Sequence, residues 1–180
     1  TSTTVNDIFL ELCAGSLRRY LDDIQALPNE PLTAGVPVSI RPADDADSGN
    51  AISFIIANLN TQINDPLKRL KSIKASINIA KDKLQAMPKA SLSNYTMVLS
   101  LLPGLGGRTK PMFNVTISNG PGPASTLYFN RAKLEQMYPL SLLSHGQALN
   151  ITVVSYAGQF NVGFTGFLDT LPHMQRLATY

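Results

Sequence analysis

At 180 residues the chain is long enough for one domain of ordinary size with a real core. Hydrophobic residues make up 44% and charged residues 15%, which excludes a disordered chain and implies a surface partly covered by another domain, another subunit or lipid. The net charge of +3 does not point to nucleic acid, and a single cysteine, Cys13, excludes an intrachain disulfide, a cysteine-based zinc site and a Cys-x-x-Cys redox motif.

The chain opens TSTTVNDIF, with no initiator Met and a helix signal almost at once, as expected of a piece cut from something longer. Ser2, Thr3 and Thr4 offer N-caps, and Asp7 is acidic in the first turn. The apolar positions Val5, Ile8, Phe9, Leu12, Leu17, Tyr20 and Leu21 then predict a helix from about Thr4 to Asp22, with Cys13 as a buried thiol rather than a nucleophile. Beyond Pro28 and Pro31, LTAGVPVSI (Leu32 to Ile40) reads as a short buried strand whose Pro37 argues for an edge or a bulge. Arg41-Pro42 and the acidic ADDADSGN form a loop in which Asp44, Asp45 and Asp47 are solvated, and AISFIIANL (Ala51 to Leu59) is a second strand, apolar on both faces.

From Asp65 to Met87, Leu67, Leu70, Ile73, Ile77, Ala80, Leu84 and Met87 recur at helical steps on one face. The other face carries Lys68, Arg69, Lys71, Lys74, Lys81 and Lys83, six of the fifteen basic residues. Two readings stay open: a solvated face, or a helix lying near acidic headgroups or coenzyme phosphates. A more apolar helix follows from about Ala90 to Leu102, then the loop PGLGGRTKP, which follows a helix and lacks the spacing of a phosphate-binding P-loop. MFNVTISN, TLYFN, ALNITVVSY and QFNVGFTGF read as strands, Ala157-Gly158 as a tight hairpin between the last two, and LPHMQRLATY as a short amphipathic helix. Helices early and strands late, without regular alternation, predict an α/β fold with a mixed sheet and packed helices. No apolar run approaches the ~18–20 residues of a membrane span, so the chain is not expected to be integral to a membrane.

The residues do not assemble a catalytic set. His145 and His173 have no partner at a fixed spacing, the aspartates form no paired-carboxylate signature, and metal ligands at usable spacing are absent. The sequons at Asn94, Asn114 and Asn150 are chance matches, two of them inside predicted strands.

VNDIFLELCAGSLRRYL, the PVSIRP strand with its GN loop, FNVTISNGPGP, LYFN, MYPLSLLSHGQALNITVVSYAG and LPHMQRLA, in this order, resemble the C-terminal half of the bacterial wax ester synthase/diacylglycerol acyltransferases. That resemblance spans nearly all of the chain. It implies a chloramphenicol-acetyltransferase-like subdomain, similar also to peptide-synthetase condensation domains, with residues 1–180 as the C-terminal member of two and a tunnel between them. The reaction it implies is acyl transfer from acyl-CoA to a long-chain alcohol or diacylglycerol, giving wax ester or triacylglycerol. Acyl-CoA enters as co-substrate, with no bound cofactor and no metal. The catalytic His of that family lies in an HHxxxDG motif in the N-terminal half, so the resemblance implies that half as partner and no catalytic base in this chain.

Asn6-Asp7 matches the family's Asn-Asp pair at a helix start near the active-site end of the tunnel. Asp7 is read as structural, and Asn6 stays open between structural and substrate-facing. Ser118-Asn119, followed by Gly-Pro-Gly-Pro, is the second match, with Gly120 where the family commonly has Val; both residues are read as tunnel-facing polar groups beside a stiff turn. Met137 and Leu140, flanking Tyr138-Pro139, are candidates for the acyl-chain lining and equally for the core. The competing class is a noncatalytic lipid-surface or interaction module, motivated by the basic helix and the missing His. The expected location is cytoplasmic, with peripheral attachment at the inner membrane or lipid inclusions.

Overall fold

The computed structural model describes residues 3–40, 52–101, 111–143 and 146–180. The expectations for Arg41, Pro42, Asp44, Asp45, Asp47, most of the loop from Pro103 and His145 lie outside the described residues.

Helix α1 (Val5–Asp23) starts where the sequence places it, because Thr4 and Asp7 form a reciprocal capping box: the Asp7 N–H donates to Thr4 Oγ1 at 3.2 Å and the Thr4 N–H to Asp7 Oδ2 at 2.9 Å. Strands β1 (Thr33–Ser39) and β2 (Ile52–Asn58) follow as an antiparallel pair. Helix α2 (Pro66–Gln85) is capped by Asp65 and has Pro66 in its first turn, and α3 spans Lys89–Leu101. The C-terminal part supplies β3 (Val115–Gly120), the two-residue strands β4 (Tyr128–Phe129) and β5 (Ala132–Lys133), then β6 (Leu149–Tyr156) and β7 (Gln159–Gly166).

Five strands form one mixed sheet in the order β2-β1-β3-β6-β7. The inner pairs β1–β3 and β3–β6 are parallel and the outer pairs antiparallel. Pro37 sits where β1 has lost one neighbour: pairing with β3 stops at Gly35↔Thr116, while β2 continues alongside to Ser39. A residue without an N–H is tolerated there because no third strand needs it. The β6–β7 hairpin turns on Ala157 and Gly158, both at positive φ, as a two-residue turn of matching twist requires.

Because strand side chains alternate, the register sorts the sheet into two faces. Ala57, Ala34, Val115 and Leu149 share one row, and Ile117 and Ile151 share the next with Phe164. This face packs under α1 and α2, where Leu10, Ala14, Leu17, Tyr20, Ile73 and Ile77 complete the core. The opposite face carries Thr116, Ser118, Asn150, Thr152 and Gly163. It is crossed by the irregular strap 134–143: Ser141 Oγ lies 2.8 Å from Thr152 Oγ1, and the Pro139 carbonyl passes so close to Gly163 that a Cβ there would overlap it.

Three expectations change. TLYFN does not join the main sheet; its Tyr128 and Phe129 pair with Ala132 and Lys133 in a separate hairpin. The closing segment is a 3-10 helix, Met174–Ala178. Arg69 is not part of a solvated basic face: it is buried, with Nη2 2.6 Å from Glu11 Oε1 and Nη1 donating to the Ile63 carbonyl at 2.8 Å, and it ties α2 to α1.

Candidate functional site

The first three turns of α1 place apolar side chains on two sides. Leu10 and Ala14 face the core, whereas Val5, Ile8 and Leu12 stay exposed above the outer strands. Facing them across a gap are Val153 of β6 and Phe160, Val162 and Phe164 of β7. The gap is a cleft of about 500 Å³, within the range of small-molecule sites, lined also by Leu177 and Tyr180.

Its few polar groups are mostly occupied. Ser16 Oγ donates to the Leu177 carbonyl at 2.6 Å, which fastens the 3-10 helix to α1. Burial pushes the Cys13 thiol up to about 12, so it stays a neutral, apolar wall group at physiological pH. Asn119, exposed at the end of β3, is the amide at this cleft. Among the described residues the lining carries no ionisable group except the neutral Cys13 thiol and the Tyr180 phenol, whose oxygen bonds Asp23 and whose pKa is raised by that bond. Such a wall of aliphatic and aromatic side chains can hold an alkyl chain.

The five expected site residues separate in space. Asn6 is half-buried in the first turn of α1 and takes no part in the cap, which belongs to Thr4 and Asp7. Asn119 reaches the cleft. Ser118 points to the opposite face, where its hydroxyl lies 2.8 Å from Thr152 Oγ1, in a chain that continues to Ser141 and to Asn150 Oδ1. Neighbouring strand residues cannot share one wall, so Ser118 and Asn119 do not converge within this domain. Met137 is half-buried in the strap, and Leu140, at 89% exposed, is no core residue.

The stiffness expected after Asn119 has a visible basis. The Gly-Pro-Gly-Pro segment folds back over the end of β6: the Gly122 N–H donates to Ser155 Oγ at 3.0 Å, and the Pro123 carbonyl accepts from the Ala157 N–H at 2.9 Å. Gly122 is obligatory here because a Cβ would overlap the Ser155 carbonyl oxygen.

The sequence reading missed Phe160, Val162 and Phe164, although their alternation along β7 marks one face. It also assigned Val5, Ile8 and Leu12 to the same apolar set as the core positions. A helix with a wide apolar arc has more apolar surface than one sheet buries, and that excess was the signal for a second contact. Among the described residues the histidine is His173, exposed at a left-handed turn before the 3-10 helix, and no three metal-ligating side chains gather.

A mixed five-stranded sheet backed by helices, with an apolar cleft beside the first of them, defines a known class of fold. It is shared with the starter condensation domain of rhizomide synthetase, at a TM-score of 0.52 and 15% identity over 96% of this chain and 42% of that one. Within that class the family is specific: residues 48–180 match the WS/DGAT C-terminal domain, and the chain belongs to this family. It is 44% identical to a putative diacylglycerol O-acyltransferase of Mycobacterium tuberculosis over 98% of this chain and 37% of the relative. It is 42% identical to the O-acyltransferase WSD of Acinetobacter baylyi over 99% of this chain and 40% of the relative. The wax ester synthase/diacylglycerol acyltransferase from Marinobacter aquaeolei VT8 superposes with a TM-score of 0.83 at 39% identity, over 99% of this chain and 41% of that one. The chain therefore spans about two fifths of the length of these relatives. The matched family segment starts after β1, yet β1 lies inside the sheet and α1 over its core, so the folded unit reaches back to the first helix.

Proposed function

We propose that residues 1–180 are the C-terminal subdomain of an acyltransferase that moves a fatty acyl group from acyl-CoA to a long-chain alcohol or diacylglycerol, giving wax ester or triacylglycerol. The observation that carries this reading is the apolar cleft between α1 and β7, in a domain of the WS/DGAT family. An alkyl chain fits a cleft whose walls are aliphatic and aromatic and whose lining includes an amide, Asn119. Asn6, at the start of the same helix, is the second polar group assigned to substrate. Ser118, with Met137 and Leu140 on the strap, would face the tunnel from the other side of the sheet.

The base is assigned to the N-terminal half, as the His of an HHxxxDG motif. It takes the proton of the acceptor hydroxyl; the oxygen attacks the thioester carbonyl; hydrogen-bond donors hold the oxyanion; the C–S bond breaks and the coenzyme leaves as its thiol, taking up the proton. The part of this subdomain is to hold chains and exclude water.

The test is an assay of the complete protein with acyl-CoA and alcohol or diacylglycerol, repeated with Leu12→Trp, which fills the cleft from an exposed position. Turnover of long-chain substrates is expected to fall several-fold more than that of medium-chain ones. Absence of acyl transfer by the unsubstituted protein sinks the enzyme reading, and an equal fall for all chain lengths removes the cleft from it. Asn6→Ala is expected to lower turnover with the unfolding midpoint unchanged.

For location we infer a cytoplasmic protein that attaches peripherally to the inner membrane or lipid inclusions. No helix among the described residues is long and apolar enough to cross a membrane. Lys68, Lys71, Lys81 and Lys83 are exposed on α2 beside exposed Leu67 and Ile79, a composition suited to anionic headgroups. Flotation of the complete protein with anionic but not neutral vesicles is expected. Binding without any acyl transfer would favour the noncatalytic alternative.

A further inference from the structure

The outer edge of β2 is closed at two stations and open between them. Leu59 donates its N–H to the Leu32 carbonyl, so by antiparallel alternation Ala57, Ile55 and Ser53 turn their backbone groups toward β1, and Asn58, Ile56 and Phe54 turn theirs outward. The Asn58 N–H donates to Ser76 Oγ of α2 at 2.8 Å and the Asn58 carbonyl accepts from Asn60 Nδ2 at 3.1 Å. The Phe54 carbonyl accepts from the Tyr95 hydroxyl of α3 at 3.2 Å. Ile56 lies between these stations, and neither its N–H nor its carbonyl has a partner among the described residues. It opens onto a groove of about 680 Å³ between β2, α2 and α3, within the range of small-molecule sites. Ile55, Ile79, Leu84 and Met87 give the groove apolar walls, to which Ser72 adds a hydroxyl. Lys83, exposed on α2, is the single charge among the described residues of the lining. The groove shares no lining residue with the cleft at α1 and β7, and β2 and β7 are opposite edges of the sheet, so its occupant is not the chain held in that cleft.

We propose that this groove seats the headgroup of one anionic phospholipid whose phosphate carries a hydroxyl-bearing substituent, phosphatidylglycerol being the type. The chemistry follows from what is left unpaired. A backbone N–H beside a backbone carbonyl is matched by a group that both accepts and donates; a hydroxyl does both, whereas a phosphate oxygen only accepts and an ammonium only donates. Lys83 calls for an anion on the same ligand, and a glycerophosphate group carries both. The apolar walls suit the upper part of an acyl chain. Strand addition by a peptide is excluded by the edge itself: with the Phe54 carbonyl and both groups of Asn58 already bonded, one open residue cannot carry a ladder. A lipid is favoured over a soluble phosphate because Ile79 and Lys83 belong at once to the groove and to the exposed, lysine-rich surface of α2. This inference rests on the reading of the protein as attached to anionic lipid, and goes further by naming the headgroup and its seat.

The experiment measures binding of the full-length protein to vesicles of phosphatidylglycerol and of phosphatidylserine, at the same anionic fraction in neutral lipid. Both headgroups carry one net negative charge, so the ratio of the two affinities reads the headgroup and not the charge. Phosphatidylglycerol is expected to bind about 10-fold more tightly, the worth of two hydrogen bonds. Ala75→Trp fills the groove from an exposed position without changing charge, and should bring the ratio close to one. Lys83→Gln should weaken phosphatidylglycerol more than phosphatidylserine, whereas Lys71→Gln, which removes the same charge outside the groove, should weaken both by about fivefold and leave the ratio unchanged. If Ala75→Trp does not fold, the contrast between Lys83→Gln and Lys71→Gln decides. Equal binding of the two lipids by the unsubstituted protein overturns the proposal and leaves peripheral attachment standing; binding to neither removes both. A preference that survives Ala75→Trp places the headgroup elsewhere and also overturns it. So does binding of free sn-glycerol 3-phosphate without any preference between the vesicles, which would make the ligand a soluble metabolite.

Discussion

The two faces of the sheet are stabilised by different means. Under α1 and α2 the contact is continuous and apolar, from Leu10 to Ile77, and the charged residues buried beside it, Asp7 and Arg69, are held by the Thr4 cap and by Glu11. On the strap face, discrete hydrogen bonds hold irregular chain against polar strand residues: Ser141 on Thr152, and Tyr156 on both ends of the β4–β5 hairpin. The helix face stores stability. The strap face fixes the direction of segments that are apolar at their outer ends.

The largest effect is expected on the helix face. Glu11→Ala leaves the Arg69 guanidinium buried without its counter-charge, a change that costs about 3–5 kcal/mol. Arg69 Nε already lacks a hydrogen bond, so the site has nothing in reserve. Urea unfolding of the full-length protein would show it, and the double variant Glu11→Leu/Arg69→Met should regain most of the loss. A fall of less than about 1 kcal/mol for Glu11→Ala would show the pair to be no more than a surface bridge.

Single groups at the turn after β3 and on the strap face should cost less. Gly122→Ala forces a Cβ against the Ser155 carbonyl and is expected to destabilise by about 1–3 kcal/mol. Tyr156→Phe removes two part-buried hydrogen bonds, to the Leu127 N–H and the Leu134 carbonyl, a loss of roughly 0.5–1.5 kcal/mol each. Its distinctive mark is local: hydrogen exchange should accelerate at Leu127 and Leu134 while the core strands stay protected.

How much of this was legible beforehand follows the same division. The helix face was readable, because capping at Thr4 and three- and four-residue apolar spacing are local signals. The strap face was not. Nothing in YPLSLL says that Leu140 and Leu142 turn outward, and nothing in TLYFN says that a phenol 29 residues from Leu127 holds a hairpin off the main sheet. Arg69 was misassigned because a charge in a lysine-rich helix looks solvated until its partner on another helix is known. Of the site, resemblance supplied Asn119, while the aromatic wall of β7 needed the sheet order to bring it opposite α1.

Alkaline pH should also distinguish the two faces. Cys13 in the folded chain has its pKa pushed up to about 12 by burial, from an ordinary value of 9.0. A folded pKa above the unfolded one means that this contribution is complete below about pH 9 and is lost as pH rises toward 12. Stability of the wild type should therefore fall more steeply over that window than that of Cys13→Ala, measured as unfolding midpoint against pH. Parallel slopes would mean that the thiolate is as well accommodated folded as unfolded.

The smallest effect expected is also the most discriminating about the turn after β3. Gly120 and Gly122 are two residues apart in one Gly-Pro-Gly-Pro run, and only the second is sterically required. At Gly120 φ is not in the left-handed region, and an added Cβ would meet its nearest neighbour, the Val153 carbonyl oxygen, at an ordinary 3.8 Å. Gly120→Val should fit, and a branched residue suits a strand end while narrowing the unfolded ensemble, so its effect should lie within about 0.5 kcal/mol of zero. A loss as large as that for Gly122→Ala would mean that the turn depends on flexibility at the strand end. The structure places its rigidity one step later, where Gly122 meets Ser155 and Pro123 meets Ala157, and leaves the strand end free to carry Asn119 to the cleft.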